Sequence, residues 1–132
     1  FELGSTATDF EHRSYGEELA LCQRYYYKKG GVARTTYGVG ACHTNTSLNG
    51  VTVEFPVTMR ANPSMSQYGT YTKCYITGAG QNQTTQNSAF GTEGLNPNSC
   101  GVSATGSSLT AGNAYWLNTV DAEHWLAWEA EL

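Results

Sequence analysis

Short β-prone runs recur about every ten residues along this chain, and Gly, Asn, Ser and Thr fill the gaps, which is the rhythm of an all-β sandwich or barrel. Fifteen glycines against three prolines suit tight turns between strands. The clearest strand covers residues 51–59: Val51, Val53, Phe55 and Val57 point one way while Thr52, Glu54 and Thr58 point the other. Pro56 has no N–H to give a ladder, so it predicts an edge or a bulge there. Residues 32–39, about 65–77, 100–104, 114–120 and 124–132 supply the other strands. In the last of these, Leu126, Trp128, Ala130 and Leu132 share one face, and Trp125, Ala127, Glu129 and Glu131 share the other. Residues 41–50 read as a polar connector whose Asn49-Gly50 makes a turn, and residues 59–64 read as another turn. Residues 78–98, mostly Gly, Gln, Asn, Thr and Ser, read as one or two long loops around a short strand, where binding commonly resides.

One helix start interrupts this pattern. Ser14 followed by Glu17 forms a capping box, each side chain satisfying a backbone N–H of the other end, and it predicts a helix over 14–29. Leu19, Cys22, Gln23 and Tyr26 then fall on one side with Leu21 and Tyr25 beside them, leaving Glu17, Glu18 and Arg24 to water. Lys28 and Lys29 complement the C-terminal end of the helix dipole, and Gly30-Gly31 stop the helix. Residues 1–13, which open on Phe1, are expected to be the end of an upstream linker or domain strand. Residues 14–132 are expected to form one β-domain, because 132 residues suit a single core that buries roughly two-thirds of the unfolded surface.

Charge narrows the partners. Seven Lys and Arg against eleven Asp and Glu give a net charge of -4, and the basic residues are scattered from Arg13 to Lys73, so no phosphate-tracking face and no nucleic-acid partner is expected. There is no run of about 18 apolar residues and no basic-then-apolar leader, so membrane insertion is not expected either. Cys22, Cys42, Cys74 and Cys100 lack a Cys-x-x-Cys pair; their even number permits two disulfides in any of three pairings, but they read as reduced, mostly buried thiols. His12, His43 and His124 form no His-x-His or His-x-x-x-His pair, so neither a metal nor a cofactor is expected.

Catalytic constellations are equally sparse. No serine sits in a Gly-x-Ser-x-Gly elbow, and Cys22 has no neighbouring histidine. Glu17/Glu18 diverge around a helix and Glu129/Glu131 lie at the very end of a strand, so both pairs read as solvated charge and not as a glycosidase dyad. The chain is therefore expected not to be an enzyme. Nine Tyr and three Trp against four Phe favour rings with a polar handle, suited to stacking on sugars and to protein interfaces. The candidate ligand residues are Tyr27, Tyr37, Trp116 and Trp125 among the aromatics, with Asn82 and Gln83 from the polar loop.

The run Phe1-Glu2-Leu3-Gly4-Ser5-Thr6-Ala7-Thr8-Asp9-Phe10-Glu11-His12-Arg13-Ser14-Tyr15-Gly16-Glu17-Glu18-Leu19-Ala20-Leu21-Cys22-Gln23-Arg24-Tyr25-Tyr26-Tyr27 resembles a junction in bacteriophage tail fibre and tailspike proteins. Residues 55–63 (Phe-Pro-Val-Thr-Met-Arg-Ala-Asn-Pro) and 125–132 (Trp-Leu-Ala-Trp-Glu-Ala-Glu-Leu) are similar to later landmarks of the same family. The resemblance implies that residues 1–8 end an upstream carbohydrate-binding-module-like region. It further implies a jelly-roll-like β-sandwich with one short N-terminal helix, a homotrimer, and a place at the distal end of the virion tail, assembled in the bacterial host cytoplasm and extracellular when functional. The implied role is attachment to host cell-surface polysaccharide without catalysis. A trimer gives the helix a use, with Leu19, Cys22 and Tyr26 around the axis. Two alternatives stand beside this: a trimerisation and capping domain, and a small glycan hydrolase or esterase supported only by scattered carboxylates and histidines.

Overall fold

The computed structural model describes residues 13–78 and 83–131. In chain order these form α1 (Tyr15–Gln23), β1 (Tyr26–Gly30), β2 (Thr36–Thr44), β3 (Ser47–Glu54), β4 (Ser64–Tyr68), a single 3₁₀ turn (Tyr71–Lys73), β5 (Cys74–Thr77), β6 (Gln83–Thr85), β7 (Gly91–Asn96), β8 (Ser99–Thr105), β9 (Ala114–Thr119) and β10 (Trp125–Glu129). The chain is thus mostly β with one short helix. Two antiparallel sheets carry the strands, one in the order β1-β10-β4 and the other in the order β6-β5-β9-β2-β3-β8-β7.

Alternation on each strand sends one set of side chains into a shared core. Leu48, Val51 and Val53 from β3 meet Ile76, Val102 and Leu117 from neighbouring strands, all fully buried. The three-stranded sheet contributes Leu126 and Trp128. Trp128 packs under Phe55 at 5.6 Å between ring centroids and against Tyr27 at 5.9 Å, so aromatic rings fill the seam between the sheets.

The capping box forms as the sequence predicts. The Ser14 hydroxyl accepts from the Glu17 N–H at 3.3 Å, and the Glu17 carboxylate accepts from the Ser14 N–H at 2.8 Å. That backbone hydrogen bond, ahead of the one from the Ser14 hydroxyl, holds the Glu17 carboxyl below its ordinary range. The helix nevertheless ends at Gln23 with Arg24 as its C-cap, well short of residue 29. The reason is tertiary: Tyr26–Gly30 pairs residue for residue with Trp125–Glu129, and aromatic side chains suit a pleated, half-buried ribbon better than a last helical turn. Lys28 and Lys29 are accordingly strand residues, not partners of the helix dipole, and Gly30 (φ 105) and Gly31 (φ 75) turn the chain out of β1. No residue of α1 is buried.

Three other expectations change. Asn49-Gly50 is not a turn: the reversal occurs at Asn45-Thr46, where Thr44 Oγ1 accepts from the Ser47 N–H at 3.1 Å. Asn49-Gly50 instead forms a bulge against β8, with Gly50 at φ 73 and the Glu93 carboxylate accepting from Asn49 Nδ2 and from the Gly50 N–H. The expected strand over 65–77 is cut in two, β4 entering one sheet and β5 the other. Gly69 marks the crossing at φ 81, where a Cβ would stand 2.2 Å from the Glu123 carbonyl oxygen. Residues 78–98 supply two strands where the sequence predicts one short strand: β6 and β7 both come from that segment and flank the larger sheet as its two edge strands.

Candidate functional site

β9 sets the geometry of the face on which an exposed tryptophan stands. Tyr115, Leu117 and Thr119 turn into the molecule and are buried, while Ala114, Trp116 and Asn118 turn outward. Trp116 is 51% exposed, the most exposed of the described tryptophans. Pairing brings Thr77 of β5 to one side of it and Val39 of β2 to the other. One step along, Asn118 pairs with Tyr75 on β5 and with Thr36 on β2. A bulge at Tyr37 lets Thr36 and Val39 share this outer face although they are three residues apart. β6 adds Gln83 opposite Thr77 and Thr85 opposite Tyr75.

The Thr77 hydroxyl donates to Asn118 Oδ1 at 3.2 Å, which orients the amide so that its nitrogen remains for a ligand. A hollow of about 220 Å³ is lined by Thr36, Thr77, Gln83, Trp116 and Asn118. It shares Gln83 and Asn118 with a second hollow of about 430 Å³, lined also by Arg34, Tyr75, Thr119 and Val120. Among the described residues no carboxylate lines either one. The assembly is an indole face framed by hydroxyls and amides, a donor and acceptor set matched to sugar hydroxyls.

Of the residues singled out from sequence, the structure brings Trp116 and Gln83 together at this place. Asn82 lies outside the described residues. Tyr37 is only 1% exposed, its hydroxyl 2.9 Å from His124 Nδ1, so it is a core residue and not a ligand contact. Tyr27, partly buried, packs its ring against Phe55 and Trp128 at the edge of the core, away from Trp116. Trp125 lies on the outer face of the three-stranded sheet, with Tyr68 stacked on it at 5.2 Å and the Lys28 ammonium 4.0 Å from its ring centroid. The cross-strand order places Tyr68 and Lys28 on opposite sides of that ring, so both its faces are taken. Leu19 and Cys22 are exposed on α1, whereas Tyr26 stands on β1 and does not extend their helical stripe.

Sequence reading passed over Arg34, Thr36, Tyr75, Thr77 and Asn118. The alternation across residues 114–119 carried the signal for Asn118, but the strand neighbours come from segments more than thirty residues away, and nothing local marks them.

Among the described residues one thiol stands next to an imidazole: Cys74 lies 3.2 Å from His124 Nδ1, and both are fully buried. Burial pushes the Cys74 thiol up to about 12 and the His124 imidazole down, which is the reverse of an activated thiolate pair. Among the described residues no group of three or more His, Cys, Asp or Glu side chains is placed to hold a metal ion, and no helix is long and apolar enough to cross a membrane. All four cysteines are free, three buried and Cys22 exposed.

Compared with known protein families, with characterised proteins and with solved structures, the chain matches none.

Proposed function

We propose that this chain is a non-enzymatic saccharide-binding domain and that it recognises a bacterial surface glycan on the outer face of the larger sheet. The observation that carries the reading is Trp116, a half-exposed indole framed by Thr36, Thr77, Gln83 and Asn118. A large apolar ring left open on a sheet face has an energetic reason to be covered, and flat sugar faces cover it while their hydroxyls meet the surrounding amides. The resemblance of residues 1–30, 55–63 and 125–132 to phage tail fibres and tailspikes supports a distal, jelly-roll-like attachment domain of the virion tail as its setting. Phe55, Met59, Trp128 and Ala130 of those segments are all core residues, which accords with an architectural origin for the likeness. The test is binding to an array of bacterial capsular polysaccharides and lipopolysaccharides: Trp116→Ala should lose binding while its circular dichroism stays that of the parent. Equal binding by the two proteins contradicts the reading.

A homotrimer is the second part of the proposal, and α1 favours it. A nine-residue helix is below the roughly 12–15 residues that hold together alone in water, yet Leu19 and Leu21 remain 42% and 38% exposed. Between α1 and residues 57–60 runs a groove of about 710 Å³ in which Ala20, Leu21, Val57 and Met59 are bordered by Arg13, Glu17, Arg24, Thr58 and Arg60. A second copy of the chain is the occupant that a fibre end would supply, and burying these leucines would give the helix its missing support. Sedimentation at micromolar concentration should show a trimer that Leu19→Asp dissociates. A wild-type monomer under those conditions contradicts this part of the proposal.

A further inference from the structure

We infer that the saccharide recognised at Trp116 is acidic and that Arg34 takes its carboxylate; this rests on the saccharide reading and names the ligand class for that site. Arg34 adjoins the same face. It lines the hollow of about 430 Å³ together with Gln83 and Asn118, the two residues this hollow shares with the one at Trp116. Asn118 follows Trp116 by two residues on β9, roughly 7 Å along the strand at ~3.4 Å per residue, so the guanidinium lies toward the next position along a bound chain.

The position of Arg34 is built. It has φ 61, and among the described residues only Ser108 is another non-glycine residue with positive φ. Such a backbone is unfavourable for a residue with a Cβ and persists where the surroundings impose it. Here the turn is tied to the end of β9: the Arg34 N–H donates to the Thr119 carbonyl at 3.2 Å, the Thr35 N–H to Thr119 Oγ1 at 2.9 Å, and Thr119 Oγ1 to the Val32 carbonyl at 2.9 Å. The arginine therefore starts from a fixed point beside Asn118.

Its charge is also uncommitted. Arg13 pairs with Glu18, Lys73 with Asp121 and Glu123, Lys28 and Arg60 lie over aromatic rings, and Lys29 donates to the Tyr37 carbonyl, while Arg24 at the C-cap of α1 also lacks a side-chain partner among the described residues but lines neither hollow. Arg34 has no ion pair or side-chain hydrogen bond among the described residues. Asp121, the nearest acid along the chain to Val120, is held by Lys73 at 2.8 Å. In a protein of net charge -4, this hollow has no carboxylate among the described residues that line it and offers a planar donor fork, the geometry that matches a carboxylate bidentately.

The experiment uses a glycan array in which each uronate-bearing polysaccharide is paired with its carboxyl-reduced form. The wild-type protein should bind the acidic form tighter by about tenfold or more, with the margin shrinking as salt rises. Arg34→Asn removes the charge while keeping a residue that tolerates the left-handed backbone, and it should bind both forms alike at the level of the reduced one. Arg34→Lys should keep only part of the preference. Equal wild-type binding to both forms, or a preference that survives in Arg34→Asn, overturns the inference while loss of binding in Trp116→Ala leaves the saccharide reading standing. Absence of binding to every glycan, or binding indifferent to Trp116→Ala, overturns both.

Discussion

His124 is fully buried, and its Nδ1 lies 2.9 Å from the Tyr37 hydroxyl and 3.2 Å from the Cys74 thiol. Its Nε2 has no hydrogen-bond partner among the described protein groups. Burial lowers the His124 pKa, and the Asp121 charge only partly opposes it. The unfolded chain takes up a proton near the ordinary histidine value of 6.5 while the folded one does not, so below that pH the unfolded state binds more protons. Stability from this group is complete above about pH 6.5 and falls as pH drops from there toward the depressed folded value. Urea midpoints should accordingly decline between about pH 7 and about pH 5, and His124→Gln should flatten that part of the profile. A midpoint unchanged over this interval in the wild type contradicts the assignment. None of this was legible in sequence, where His124 is one histidine among three with no neighbour to mark it.

At the scale of elements, the chain passes between the two sheets at β1–β2, β3–β4, β4–β5 and β9–β10, and the tightest of the glycine-marked passages is the one from β4 to β5. Gly69 lets β4 end in one sheet and β5 begin in the other, because the chain passes so close to the Glu123 carbonyl that a methyl group has no room. Gly112 has a similar φ of 85 but nothing within 4 Å of its Cβ position. Gly112→Ala should therefore cost about 1 kcal/mol, the backbone penalty alone, and Gly69→Ala about 3 kcal/mol or more once the clash is added; equal losses in denaturant titrations contradict the crossing. Local pattern revealed elements whose cause is local: the Ser14/Glu17 box starts α1, and the 51–55 alternation gives β3 its buried face. It failed where pairing decides. Tyr25-Tyr26-Tyr27 reads as helix until β10 claims Tyr26 and Tyr27, and the glycine-rich stretch around β7 reads as loop until β8 supplies a ladder. Asn49-Gly50 carries turn chemistry that the fold spends on a bulge, one residue pair away from where the chain reverses.

For the whole molecule, the two sheet exteriors differ in what they leave open. On the smaller sheet Trp125 is closed by Tyr68 and Lys28. On the larger sheet Trp116 stands with both hydroxyl and amide neighbours and the free Arg34 beyond them. Sequence composition pointed to tryptophan as a class; only the cross-strand order separates the closed ring from the open one. Affinity for the best-bound glycan of the array, compared between wild type, Trp116→Ala and Trp125→Ala, therefore tests the central claim most directly. Trp116→Ala should weaken binding by about 30-fold or more, equivalent to about 2 kcal/mol, and Trp125→Ala by less than about threefold. Full affinity in Trp116→Ala, or a loss confined to Trp125→Ala, would contradict it.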